Sequence, residues 1–244
     1  THSYFSNSEL AATDLPSPAE LAILDKFKDQ VPEEVFTQTY QAPSTNGDGN
    51  IRRNIRTAVG LLKEAGWEIR DKKLTNLNTG EVMEFEIMLV SPDFQRVVLP
   101  YKKNLARLGI ETQIRLVDTQ QYINRVNSFD FDMIIHSMRQ SSSPGNEQRD
   151  FWHSSQADVS GSRNVIGIKD PVIDELIDLV IAAPNREQLV VRTRALDRVL
   201  LWSHYVIPQW HIRHFRVAYW DKFERPQTSP KYGLGLDTWW QKSN

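Results

Sequence analysis

Two aspartates lie two residues apart in Asp130-Phe131-Asp132. On a β-strand that spacing turns both carboxylates to one side, where they could act as general acid and base or hold a divalent cation. The plainer alternative is an exposed strand face, with Phe131 and Met133 turned inward. His211 and His214 invite a metal reading, but an odd separation on a strand sends the two rings to opposite faces and defeats joint ligation. The sequence has no Gly-x-Ser-x-Gly elbow, no Gly-x-x-x-x-Gly-Lys phosphate loop and no His-Glu-x-x-His helix, so neither a cofactor nor a metal is expected. Six of the seven Trp lie at or after Trp152. Trp67, Trp202 and Trp220 sit in apolar patterns and read as core. Trp152 stands among polar residues, and with Trp210 it could supply flat walls for a small ligand whose orientation polar neighbours would fix.

These residues have to be positioned by an alternating strand and helix pattern. Ala58, Leu61, Leu62 and Ala65 share a helical face, ended by Gly66 at a left-handed cap position. A β-meander with turns near Asp71-Lys72-Lys73 and Asn78-Thr79-Gly80 follows Trp67. Phe85 to Val90 reads as a strand. Ser91-Pro92 caps and opens the next helix, which Gly109 ends and in which Pro100 predicts a kink. Ile110, Thr112, Ile114 and Leu116 alternate with polar residues as in a half-exposed strand. Asp118 with Gln121 resembles a capping box, and Phe129 to His136 reads as a further strand. Three strands joined by two helices predict an α/β lobe with right-handed crossovers. Helices are also expected over Ala19 to Lys28, after Asp170-Pro171 and after Pro184-Asn185, and a long strand or strand pair over Val206 to Trp220. Between them the regular pattern stops for 28 residues, from Ser137 to Asn164. Unstructured stretches of that length are usually functional or disordered. This one carries Arg139, Glu147, Arg149, Phe151, Trp152, His153 and Arg163, and it reads as an ordered loop facing a ligand rather than a tether.

Composition narrows the class. The 244 residues carry 29 basic and 31 acidic side chains and no Cys. There is chain enough for one large domain or two small ones. With 40% apolar residues and a net charge of -2, disorder is disfavoured. No basic run marks a nucleic-acid surface, and thiol chemistry is excluded. No basic-then-apolar leader opens the chain, and no stretch is apolar enough to span a membrane.

Leu61-Leu62-Lys63-Glu64-Ala65-Gly66-Trp67 resembles a helix end typical of the family 5 extracellular solute-binding proteins, the peptide-binding components of ABC importers. The order continues with Leu105-Ala106-Arg107-Leu108-Gly109-Ile110-Glu111, then Val117-Asp118, Tyr122 and Phe129-Asp130-Phe131-Asp132-Met133. Asn7-Ser8-Glu9-Leu10, Ser143-Pro144-Gly145-Asn146-Glu147-Gln148 and Pro208-Gln209-Trp210 are similar to the YejA-type branch, which handles oligopeptides and the peptide-nucleotide microcin C. The resemblance covers essentially the whole chain. It implies a periplasmic binding protein-like α/β fold (type II, cluster C), here a C-terminal lobe with a mixed sheet flanked by helices. Residues 1–220 would form the ligand-binding lobe, with a long cleft loop at 137–164, and residues 221–244 a return segment toward an N-terminal lobe outside the sequence. The chain is accordingly expected to be a piece of a longer periplasmic protein rather than a processed one.

The implied function is non-enzymatic: a peptide or peptide-like ligand is captured between lobes and delivered to a membrane permease, without nucleic acid and without direct membrane insertion. Many members carry an Asp in a Trp-x-x-Asp-Tyr-like motif that pairs with the peptide amine, and here Met138-Arg139-Gln140-Ser141 stands in that place. Glu147 is the candidate replacement, with Arg139 or Arg163 addressing a carboxylate or phosphate through a bidentate fork. The ligand-contacting set is expected to be Arg139, Gln140, Ser141, Asn146, Glu147, Trp152, Arg163, Asn164 and Trp210. The competing reading is a hydrolase using Asp130 and Asp132, or Glu147, as its carboxylates.

Overall fold

The structure is a computed structural model that describes residues 1–228, 230 and 233–242. In chain order it contains α1 (Pro18–Leu24), α2 (Glu34–Thr37), α3 (Arg52–Glu64), β1 (Trp67–Arg70), β2 (Lys73–Asn76) and β3 (Glu84–Leu89). Then come α4 (Gln95–Ala106), β4 (Glu111–Leu116), α5 (Thr119–Asn127), β5 (Met133–Ile134) and α6 (Glu147–Trp152). The last are α7 (Pro171–Ile181), α8 (Arg186–Trp202), β6 (Phe223–Glu224) and β7 (Trp240–Gln241). The chain divides into two compact units. A sheet unit holds residues 41–139 and 147–174, and a terminal unit holds residues 1–40, 140–146 and 175–244.

In the sheet unit β3 is central, pairing in parallel with β4 on one side and β5 on the other, with Ile87 opposite both Ile114 and Met133. Parallel neighbours need a crossover, and α4 and α5 supply them. The anticipated βαβαβ order is therefore present. Antiparallel pairing is found in the separate pairs β1–β2 and β6–β7. Ile87, Met88 and Leu89 are almost fully covered, as the centre of such a sheet requires. Val98 from α4 packs there with Ile87 and Leu89, joined by Phe94, Tyr101, Ile114 and Met133. A second cluster, Leu74, Leu105, Leu108 and Ile110, receives Ile55, Ala58 and Leu62 from α3 together with Trp67. Each such buried aliphatic side chain contributes about 1.5–3 kcal/mol.

The stop signals fall where expected. Gly66 and Gly109 both have positive φ, and Gly109 could be nothing else. A Cβ there would lie 2.7 Å from the Leu74 backbone nitrogen, whose N–H donates to the Gly109 carbonyl at 2.8 Å. The Ser91, Asp118 and Asn185 side chains accept N–H groups at their helix starts, that of Asp118 from Gln121 and that of Asn185 from Gln188. Pro100 sits on an exposed position of α4, which runs on to Ala106.

The terminal unit is built on α8. Ala195, Leu196, Val199 and Leu200 are fully buried, with Phe5, Leu10 and Leu24 almost as well covered. Charged groups join this core. Asp197 is completely buried; it accepts the Ser3 hydroxyl at 2.7 Å, the Tyr4 N–H at 2.9 Å and the Ala12 N–H at 2.9 Å. Burial pushes its carboxyl up to about 6, against the pull of those hydrogen bonds and of Arg198. Arg198 donates to the Glu20 carboxylate at 2.9 Å and to the Asp14 carbonyl at 2.6 Å, with both charged side chains out of solvent. Residues 3 to 20, which have little regular structure, are thereby fastened to α8.

Three expectations fail here. The stretch 137–164 is not uniformly irregular, for it contains α6 and a 3-10 turn at Ser154–Gln156. Val206 to Trp220 forms no strand, although its alternation reads as one. Alternation becomes a strand only when a neighbour takes up the backbone N–H and C=O groups, and no strand among the described residues pairs with this segment. Finally Trp220, expected in the core, is 78% exposed.

Candidate functional site

The nine candidate ligand residues divide between the units. Arg139, Glu147, Trp152, Arg163 and Asn164 belong to the sheet unit; Gln140, Ser141, Asn146 and Trp210 belong to the terminal unit.

Two of the first group are structural. Trp152 is 1% exposed and its indole N–H donates to the Gln148 side chain at 3.1 Å, so it offers no wall to a ligand. The helical register of α6 decides this by turning Phe151 and Trp152 inward together, with their rings 5.5 Å apart. Asn164 is fully buried: its amide donates to the carbonyls of His153 and Ile168 and accepts the Ile168 N–H at 3.0 Å. It holds a tight turn through Gly167 that delivers the chain to α7.

The others remain accessible to differing degrees. Arg139 is exposed at the end of its segment, and Glu147 is half-buried in the first turn of α6, where the Gln148 amide donates to it at 3.4 Å. Arg163 is exposed and stacks over the Phe151 ring at 4.0 Å, a cation–π contact that fixes the guanidinium plane. In the terminal unit Ser141 and Asn146 are exposed and Gln140 is half-buried; the Ser141 hydroxyl accepts the Ser143 N–H at 2.8 Å and closes a local turn. Trp210 is 60% exposed.

Asp130 and Asp132 precede β5 rather than lying on it, so strand periodicity does not apply to them. Asp132 accepts the Glu86 N–H at 2.8 Å and ends the ladder of β3. Asp130 pairs with Arg125 at 2.9 Å, and Arg125 also reaches Glu86 at 3.0 Å. Burial alone would raise the Glu86 carboxyl, but hydrogen bonds from Arg115 and Arg125 hold it below the usual carboxylate range. This is a network of satisfied charges tying α5 to the sheet.

Sequence reasoning missed the support that Phe151 gives Arg163, and it missed His136. Desolvation, and then the positive charge of Arg163, hold the His136 imidazole below its ordinary pKa. The signal for Phe151 was available, because Gln148 lies three residues before Phe151 and four before Trp152, at helical spacing. Among the described residues no group of three or more His, Asp or Glu could hold a metal ion, and no helix is long and apolar enough to cross a membrane.

The sheet unit is thus a parallel α/β sheet with crossover helices, and the terminal unit is built on helices. The chain aligns over 96% of its length with the oligopeptide-binding protein AppA of Bacillus subtilis, solved with a nonapeptide, with a TM-score of 0.59, 18% identity and 47% coverage of that chain. That likeness gives the fold. The model of the bacterial extracellular solute-binding proteins, family 5, matches residues 11–159, and the chain belongs to that family. It is 48% identical over 98% of its length to the probable peptide-binding protein YejA of Agrobacterium fabrum, and 43% identical over its whole length to YejA of Escherichia coli. It spans 39% and 40% of the length of those two relatives.

Proposed function

We propose that the chain is a ligand-binding part of a periplasmic solute-binding protein that captures oligopeptides or peptide-like compounds, including peptide-nucleotide compounds of the microcin C kind, and delivers them to the permease of an ABC importer. The observation that carries this reading is the 48% identity across nearly the whole chain to a relative named for probable peptide binding. Two properties of the sheet unit agree with it. Glu147 stands half-buried at a helix start, where it can meet a ligand amine, and Arg163 presents a fixed fork to a carboxylate or phosphate. The hydrolase alternative is weakened because Asp130 and Asp132 are both engaged in holding β5 and α5 in place.

Residues 221–244 form the return segment toward the rest of the longer protein. Trp210, Ile212, Phe215, Trp220, Leu236 and Trp240 are each between 47% and 78% exposed, an amount of open apolar surface that a covering partner would explain. Native mass spectrometry of the full-length protein tests the function. Retention of intact peptide supports it, and turnover of a defined peptide mixture would replace it with the hydrolase. Replacing Glu147 with Gln should weaken peptide binding more than fivefold, about 1 kcal/mol; an unchanged affinity would remove Glu147 from the site.

A further inference from the structure

A hollow of about 310 Å³ in the sheet unit is lined by Asp150, Gln156, Val159, Ser160, Gly161, Ser162 and Arg163. Two charged groups close in sequence are matched: Lys169 pairs with Asp158 at 2.7 Å, and Asp174 accepts the Ser154 N–H at 2.8 Å beside His153. Asp150 and Arg163 are not. Both are exposed, and among the described residues neither side chain makes an ion pair or a hydrogen bond, with the other or with anything else. Arg163 is nonetheless held in place by stacking on Phe151, which leaves the N–H edge of its fork open. Asp150 lies on α6 one residue before Phe151, so the helix that carries the Arg163 platform also carries a lining carboxylate of the hollow.

The two hydroxyls at the hollow are oriented. Ser160 Oγ donates its proton to the Asn127 carbonyl at 2.9 Å and Ser162 Oγ donates to the Gln156 carbonyl at 2.7 Å. Only their lone pairs remain to face a ligand, and lone pairs attract a cation. The Gly161 and Ser162 N–H groups are likewise committed, to the Asn127 and Val159 carbonyls.

We infer that this hollow binds a small zwitterion, the ammonium and carboxylate of an amino acid or of a single amino-acid-like terminus, with Arg163 taking the carboxylate and Asp150, helped by the serine hydroxyls, taking the ammonium. The hollow is open to solvent, and its volume of about 310 Å³, at the lower end of the roughly 300–1,000 Å³ range of small-molecule pockets, accommodates about one residue. Opposite charges that share a hollow without pairing leave room for a ligand's complementary charges between them. The inference rests on the reading above of Arg163 as a carboxylate-binding residue, and it adds Asp150 and a single-residue ligand.

The test is isothermal calorimetry on the full-length protein with L-serine, acetate and methylammonium as probes, in wild type and in R163Q, R163K and D150N. L-Serine should bind at one site, at least tenfold more tightly than either singly charged probe. R163Q and D150N should each weaken L-serine at least tenfold, and R163K should fall between wild type and R163Q. The decisive pattern is crossed: D150N does not weaken acetate and R163Q does not weaken methylammonium, which general damage to the fold would not produce. Absence of L-serine binding, or variants that bind it as wild type does, overturns the inference. Native mass spectrometry on the same samples separates the two readings. Retained peptide without L-serine binding leaves the peptide reading standing and removes this one, whereas L-serine binding without peptide does the reverse.

Discussion

Charge is used in opposite ways in the core of the terminal unit and at the hollow of the sheet unit. In the terminal unit Asp197, Arg198 and Glu20 are out of solvent and each is fully engaged, by backbone N–H groups, a serine hydroxyl, a carbonyl or one another. In the sheet unit Asp150 and Arg163 are exposed and share a hollow without engaging each other. Desolvating a charge costs several kcal/mol, so buried charges persist only where their partners are complete, and there they fix the path of the chain. An exposed charge keeps its hydration and needs no partner, which leaves it available to a ligand. The contrast separates residues that hold the fold from residues that can bind.

The sharpest way to break the comparison is at Arg198. Arg198→Met should lower stability by about 3–5 kcal/mol in chemical denaturation, because Glu20 is left buried and uncompensated, and the double substitution with Glu20→Leu should recover much of the loss. A loss below 1 kcal/mol would mean that the pair does not anchor residues 3 to 20. Asp197 sharpens it through pH. Its carboxyl in the folded protein, at about 6, lies above the ordinary 3.8, so the native state binds the proton more tightly than the unfolded state. The associated stability is fully present below pH 3.8 and is lost as pH rises through about 6, a total of about 3 kcal/mol. Denaturation midpoints measured from pH 4 to 7 should fall accordingly, and D197N should flatten that part of the profile. The exposed pair Lys26–Glu175 offers an intermediate control, since a double-mutant cycle should give a coupling under about 1 kcal/mol. The smallest effect is expected at the hollow: R163Q and D150N should each change stability by less than about 0.5 kcal/mol, and a larger loss would move those residues to the structural side of the contrast.

Much of the sheet unit was legible because local chemistry and tertiary structure agree there. Gly66 and Gly109 end helices through a positive φ that other residues rarely adopt, and Ser91, Asp118 and Asn185 start helices by accepting an N–H within their own turn. The run from Phe85 to Leu116 keeps one period per element. Failures fell where a residue's role depends on distant partners. Asp130 and Asp132 were expected on a strand face, yet they precede β5 and are engaged by Arg125 and the Glu86 N–H. Trp152 looked like a ligand wall until α6 turned it inward, and Val206 to Trp220 had the alternation of a strand but no neighbour.

The sequence by itself determined the order of strands and helices from α3 to β5, most of the caps that start and stop them, and the family to which the chain belongs. These depend on side-chain type at short spacing, on a few hydrogen bonds within a turn, and on motifs read in order. Only the tertiary structure decided which charges are engaged and which are open. That distinction is set by burial and by partners far apart in sequence, 194 residues in the case of Ser3 and Asp197, and no local pattern encodes it.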